Sequence, residues 1–210
     1  HRDLHSFPTR RSSDLPQGCV LSPILFSIYT DFIRSTHSNV KIFKYADDMA
    51  IVGLLSFKDP DTSFPFFDAV QTFVDQCASV NLLINVSKTK EMVVNFSRTY
   101  AIYDYIFISG NPIERVSSFK YLGTFFDDNL KWQSNTDYIY GKLRQRFYAF
   151  SRFKHFRPNK QQRDYFIQSL IKPILLYNFE LWYNYATDKQ KERLTKPFSQ
   201  NSFDLDMDFG

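Results

Sequence analysis

The chain has 210 residues, a net charge of +4 and 18% aromatic residues, enough for one sizeable core-bearing domain or a domain with an appendage. Its mildly basic balance, with a pI near 8.9, is compatible with a nucleic-acid partner without establishing one. Cys19 and Cys77 fit no disulfide framework or metal-ligand spacing, so a reducing, intracellular setting is expected, and a signal peptide or a membrane span of roughly 18–20 apolar residues is not found.

Residues 1–15 have no hydrophobic period and read as an artefactual or disordered leader, resembling translated sequencing-adapter read-through. The other reading is a short basic arm. Pro16-Gln17-Gly18-Cys19-Val20-Leu21-Ser22-Pro23 comes next, a loop whose Gly lets the backbone approach a neighbour closely. Ser22 as cap and Pro23 at the first helical position then predict a helix. Leu21, Ile24, Leu25, Ile28 and Phe32 recur at helical spacing, so this helix is expected to pack one face on a core.

Val40 to Gly53 holds two β-prone apolar runs around Tyr45-Ala46-Asp47-Asp48, which predicts a hairpin with Asp47 and Asp48 at its tip. Adjacent hard oxygen ligands at a strand tip suit Mg²⁺ that also holds substrate phosphates. A plain solvated turn is the competing reading, since Asp is a common turn residue. Ser56 to Asp61 is a polar loop. Phe66, Val70, Phe73, Val74 and Cys77 predict an amphipathic helix over about Pro65–Val80, with Cys77 as a small core residue.

Leu82 to Val94 runs from apolar residues through the turn Asn85-Val86-Ser87-Lys88-Thr89-Lys90 into a short strand expected to reach Phe96. Tyr105 to Val116 reads as strand, turn, strand, with Gly110-Asn111-Pro112 as the turn. Ser118 to Asp127 adds a further strand, with a plain hairpin as its other reading. From Ser134 the chain turns helical and basic, Lys and Arg being interleaved with Phe and Tyr as far as Arg163. That is a surface suited to tracking phosphates, or a solvated helix face over a Phe-rich core. Asn159 to Tyr183 is a second helical stretch, bent at Pro173 and packed down by Trp182. Beyond Lys191 the helical pattern fades. Pro197 is expected to stop any helix from Leu194, and Asp204, Asp206 and Asp208 read as solvated tail residues.

Four motifs in order carry a resemblance over roughly Pro16 to Tyr183. These are the Pro-Gln-Gly loop, Tyr45-Ala46-Asp47-Asp48, the Asn85 to Lys90 cluster, and Phe119-Lys120-Tyr121-Leu122-Gly123-Thr124. Together they resemble the reverse transcriptases of non-long-terminal-repeat, LINE-type retrotransposons. The resemblance implies an α+β fold: a partial polymerase palm (antiparallel sheet with packed helices) at 16–130, an α-helical thumb-like region at 131–190, and a tail at 191–210. It implies RNA-directed DNA synthesis with two Mg²⁺ ions, an RNA template, a DNA primer and deoxynucleoside triphosphates. Asp47 and Asp48 would be the metal ligands. Gln17 and Gly18 would line the nucleotide pocket, Tyr45 would lie near the primer end, and Gly123 would support that end. Lys88, with Lys90 as second choice, would meet the charge on departing pyrophosphate; a solvated turn lysine is its other reading.

The family's further metal-binding Asp, expected before Pro-Gln-Gly, has no counterpart here, and Asp14 sits in the wrong setting. An N-terminally truncated fragment, inactive or nearly so alone, is therefore expected. A non-catalytic nucleic-acid-binding remnant, or a pseudogene product, is the alternative.

Overall fold

The computed structural model describes residues 21–56, 63–96 and 104–199. Helices and short strands are mixed, as an α+β chain requires. The expected single antiparallel sheet is not what forms. Among the described residues the strands pair only in twos, three ribbons being antiparallel and one parallel. The chain divides into two compact units. The first holds residues up to Thr89 with the stretch ending at Ile113, and the second holds the stretch from Lys90 with residues from Glu114 onward.

In the first unit, β1 (Val40–Tyr45) and β2 (Asp48–Gly53) form the predicted hairpin, with Ile42 opposite Ile51 and Tyr45 opposite Asp48. Side chains alternate across a ribbon. Ile42, Met49 and Ile51 therefore point to one face, where they gather with Ile33, Phe73, Cys77 and Leu82. Phe73 and Cys77 come from α2 (Phe64–Ser79), whose apolar stripe buries Ala69, Val70, Phe73 and Cys77 as its spacing predicts. Burying each large apolar side chain contributes about 1.5–3 kcal/mol, and a two-stranded ribbon is marginal without such a cover. Gly53 has a packing reason: a Cβ there would lie 2.3 Å from the Phe66 ring. Val70 also joins Ile106, Ile108 and Ile113 in a second cluster.

Helix α1 (Leu21–Tyr29) departs from expectation. It already includes Ser22, which is therefore not its cap, and none of its residues is buried. Leu21, Ile24, Leu25, Ile28 and the following Phe32 are all exposed. The helical period is present, but no described residue covers the stripe. The element is held by its C-terminal end instead. Lys44 Nζ donates to the Thr30 and Ile33 carbonyls at 2.6 and 3.3 Å, satisfying groups a helix end leaves open. Tyr29 Oη donates to the Val80 carbonyl at 2.5 Å.

Strand lengths and turns also shift. β3 is only Lys90–Glu91, parallel to β6 (Glu114–Arg115), and does not continue to Phe96. Arg115 grips Glu91 in a two-pronged pair at 3.0 Å. β4 (Phe107–Ile108) and β5 (Asn111–Pro112) are joined by Ser109-Gly110, not by Gly-Asn-Pro. Both joining residues have positive φ, 51° and 76°, the sign pattern of a type I′ hairpin turn, which places Asn111 and Pro112 in the strand.

The second unit starts its antiparallel part with a full hairpin, β7 (Ser118–Tyr121) and β8 (Thr124–Asp127), which is the plain-hairpin reading of this stretch. This hairpin belongs to the same compact unit as the helices. The buried Asp127 carboxylate explains why: it accepts the Ser134 amide at 3.1 Å in the first turn of α3 (Gln133–Lys154). Asn135 Oδ1 accepts the Phe125 amide in return. Trp132, Leu143, Phe147, Phe150, Trp182 and Leu194 lead the helical core.

After α3, Asn159 and Gln162 form a capping box on α4 (Lys160–Phe166). The backbone then passes through a π-helical turn, Ile167–Ile171, into α5 (Lys172–Leu176). The predicted disturbance at Pro173 takes this form because proline cannot donate to the carbonyl four residues back. Helix α6 (Phe179–Trp182) stacks Phe179 on Tyr183 and buries Trp182.

Pro197 does not end the last helix. Helix α7 spans Asp188–Ser199 with that proline inside. Leu194 and Phe198 are each 1% exposed, and Phe198 meets Phe147 edge-on at 5.0 Å, so packing outweighs the lost hydrogen bond. The leader, the Pro-Gln-Gly loop, most of the Ser56 to Asp61 loop and the three tail aspartates lie outside the described residues. No described helix is long and apolar enough to cross a membrane.

Candidate active site

The tip of the β1–β2 hairpin is a two-residue turn, Ala46-Asp47. Of these two only Ala46 has positive φ, 52°, the sign pattern of a II′ turn. An alanine held there costs on the order of 1–2 kcal/mol, and such strain recurs at functional sites. Asp48 opens β2 directly opposite Tyr45, so both side chains belong to the hairpin's outer face with Phe43 and Ala50. Tyr45, Asp47 and Asp48 are all exposed. The inner face carries Lys44 and Met49 instead. This sets two neighbouring carboxylates at the hairpin end, Asp48 on the face opposite the one that carries Ile42 and Ile51 to the core cluster.

Lys88 stands elsewhere in the first unit, exposed, on a turn organised by Asn85. The Asn85 carbonyl accepts from the Lys88 and Thr89 amides, and its side chain accepts from Ser87 Oγ. Lys90, the second choice, spends its ammonium on Glu114 at 2.5 Å. Gly123 lies in the second unit, at φ 87° in the β7–β8 turn. A Cβ on it would meet the Tyr177 ring at 3.1 Å, and Tyr177 Oη donates to the Leu122 carbonyl at 2.6 Å. Its close approach is therefore to a tyrosine of its own unit. Gln17 and Gly18 lie outside the described residues.

The structure thus brings Tyr45, Asp47 and Asp48 together at one hairpin end, with Lys88 on a separate turn. Among the described residues no group of three or more His, Cys, Asp or Glu is placed to hold a metal. The donor chemistry still suits a hard cation: Mg²⁺ usually takes only one or two carboxylates and completes its shell with water and phosphate oxygens. Two positions escaped the sequence reading. Lys44 ties α1 to the hairpin and was signalled by a lysine at an inward position between Ile42 and the turn. Ala46 carries the bend and had no compositional signal.

With the geometry in place, comparison with known proteins gives the class. Residues 4–126 match the family described as Reverse transcriptase (RNA-dependent DNA polymerase), and the chain belongs to that family. Among individual proteins it is similar to the RNA-directed DNA polymerase from mobile element jockey of Drosophila funebris, 28% identical over 63% of this chain and 15% of the relative. It is also similar to the probable RNA-directed DNA polymerase from transposon BS of Drosophila melanogaster, 22% identical over 86% of this chain and 21% of the relative. The chain therefore spans about a fifth or less of the length of these curated relatives. No solved structure matches it.

Proposed function

We propose that these residues are part of an RNA-directed DNA polymerase of a retrotransposon, the first unit serving as part of its palm and the helices after β8 as a thumb-like region. The observation that carries this is the pair of exposed carboxylates at a tight hairpin tip, preceded by Tyr45-Ala46, inside the stretch that matches the family. Asp47 and Asp48 are the metal ligands in this reading. Bound there, Mg²⁺ would activate a primer 3′-hydroxyl and neutralise charge on the phosphates of an incoming deoxynucleoside triphosphate. Tyr45, on the same face as Asp48, flanks the primer end in this reading, and the Gly123 turn of the second unit is assigned to primer support by the family resemblance alone. Gln17 and Gly18, outside the described residues, are assigned to nucleotide binding by the family resemblance alone. Lys88 holds an exposed ammonium for the departing pyrophosphate.

Among the described residues the hairpin end offers two carboxylates, a short ligand set for two ions, so weak or no primer extension by this chain is expected. Metal binding is the sharper test. Mn²⁺ titrated into the chain should broaden amide resonances around Ala46–Asp48, and Asp47→Ala with Asp48→Ala should abolish that broadening. Broadening centred elsewhere, or unchanged in the double variant, would overturn the assignment. A second reading, a non-catalytic nucleic-acid binder, is favoured by the stretch between Asp137 and Asp164, which holds eight Lys and Arg and no acid. Duplex retention without any Mn²⁺ response at the hairpin would select it.

A further inference from the structure

The β1–β2 hairpin is anchored at one end and presented to solvent at the other. At its base Val40 is buried, and the Leu54 amide donates to the Asn39 carbonyl at 3.1 Å. At its tip Tyr45, Asp47 and Asp48 are exposed, and Ala46 is held at φ 52°. Fraying concentrates where buried contacts are few, so this tip is where the ribbon is expected to open first. The last inward rung before the turn is Lys44 opposite Met49. Met49 packs against the core cluster, which leaves Lys44 to fix the other strand.

Lys44 reaches partners that are themselves fixed. Thr30 and Ile33, whose carbonyls accept from its Nζ, are each 1% exposed. The Thr30 hydroxyl donates to the Phe26 carbonyl at 2.9 Å, one turn back in α1. The same segment is joined to α2, because Tyr29 Oη donates to the Val80 carbonyl and Gln76 Nε2 to the Arg34 carbonyl at 3.4 Å. Asp31, the acid of that segment, is engaged by Arg34 at 2.6 Å, and the Lys44 ammonium rests on neutral carbonyls. Its stem lies on the face opposite Asp48, which is not where a lysine would stand to offset carboxylate charge.

We propose that Lys44 is a positioning residue for the metal-binding end of the hairpin: set on the Thr30 and Ile33 carbonyls, it holds the Tyr45–Asp48 turn in the arrangement in which both carboxylates meet one cation. This inference rests on the metal reading of Asp47 and Asp48. A loose tip would have to be ordered by the ion itself, and prior ordering removes that cost from the affinity. The proposal carries a sign that charge alone does not produce. Lys44 is a cation within four residues of both acids, so deleting its charge should by Coulomb's law tighten a divalent cation. Loss of a tie loosens it instead.

The test compares the full chain with Lys44→Met, which keeps the stem without its donors, and Lys44→Arg, which keeps charge and donors. In the metal-free chain Lys44→Met should speed hydrogen exchange at the Asp48 amide about tenfold, the factor one charge-assisted hydrogen bond supplies. Exchange at Val70 in α2 should not change. Mn²⁺ affinity, read from the broadening of the Ala46–Asp48 amides, should fall about tenfold, and Lys44→Arg should restore most of it. Phe73→Leu weakens the core under the hairpin without touching the tie, and it should leave the Mn²⁺ affinity unchanged. An equal loss in Phe73→Leu, or faster exchange in Lys44→Met with equal or tighter Mn²⁺ binding, would make Lys44 a purely structural tie and overturn the proposal. A parent chain silent to Mn²⁺ at the tip would remove the metal reading, and exchange would then decide the tie by itself: parent-like protection of Asp48 in Lys44→Met would overturn it.

Discussion

Cys77 is a residue whose surroundings could be inferred from its spacing alone. Its place on the apolar stripe of α2 predicts a core thiol, and it is 3% exposed between Ile33 and Phe73. Burial pushes its titration above the ordinary 9.0, because the thiolate would lose its hydration. The folded state thus favours the protonated form. The stability this contributes is full below the ordinary value and is lost as pH rises through the higher folded one. In a Cys19→Ser chain at mildly alkaline pH, Cys77 should alkylate far more slowly than a small thiol and reach its rate only when denaturant opens the fold. Labelling at the free-thiol rate in native buffer would contradict its burial. Asp47 and Asp48 were equally legible, since two β-prone runs leave little else for the residues between them. Lys44 and Ala46 were not. The roles of these two depend on a helix end brought up from fourteen residues away and on a backbone angle, and neither shows in residue type.

Period places a helix, while tertiary contacts decide what covers it: α1 keeps its period and leaves its stripe exposed. Helix α2 follows its apolar spacing and α3 starts where the chain turns helical and basic, each to within a residue or two, the usual uncertainty of a helix end. The β4–β5 turn was shifted because Gly-Asn-Pro looks like stronger turn chemistry than Ser109-Gly110. Only the paired register shows that Asn111 and Pro112 lie in a strand. Helix α7 is the plainest override. Pro197 removes one donor to the Arg193 carbonyl and crowds it, a cost of about 3 kcal/mol in a helix interior and less near an end. Leu194 and Phe198 offset it by closing the helical core. Pro197→Ala should therefore stabilise the second unit by about 1 kcal/mol, seen as a later denaturant midpoint with an unchanged slope. A lower midpoint would mean that the proline ring itself is part of the packing.

At the scale of the whole chain, composition gave a basic, aromatic-rich protein with material for a core, but not how much of its apolar surface that core would use. The helical unit closes around Trp182 and Phe150, each fully buried. The first unit does not close in the same way. Every described strand there is an edge, since each ribbon has two strands, and edges invite pairing with other chains. The outer hairpin face leaves Phe43 and Val52 about half exposed, and α1 leaves Ile24 and Ile28 at 54% and 67%. Exposed apolar side chains of this size favour association of isolated chains. The stripe on α1 can be altered without touching the hairpin tip, because α1 is held through Thr30, Ile33 and Tyr29 and not through that face. Ile24→Lys with Ile28→Lys, each placing a good helix former at an exposed position, should reduce concentration-dependent light scattering while shifting stability by no more than about 0.5 kcal/mol. The same change should leave the Mn²⁺ response of Asp47 and Asp48 intact. A loss of several kcal/mol would show that the stripe is packed in the folded chain, and unchanged scattering would move the source of association to the open edges of the ribbons.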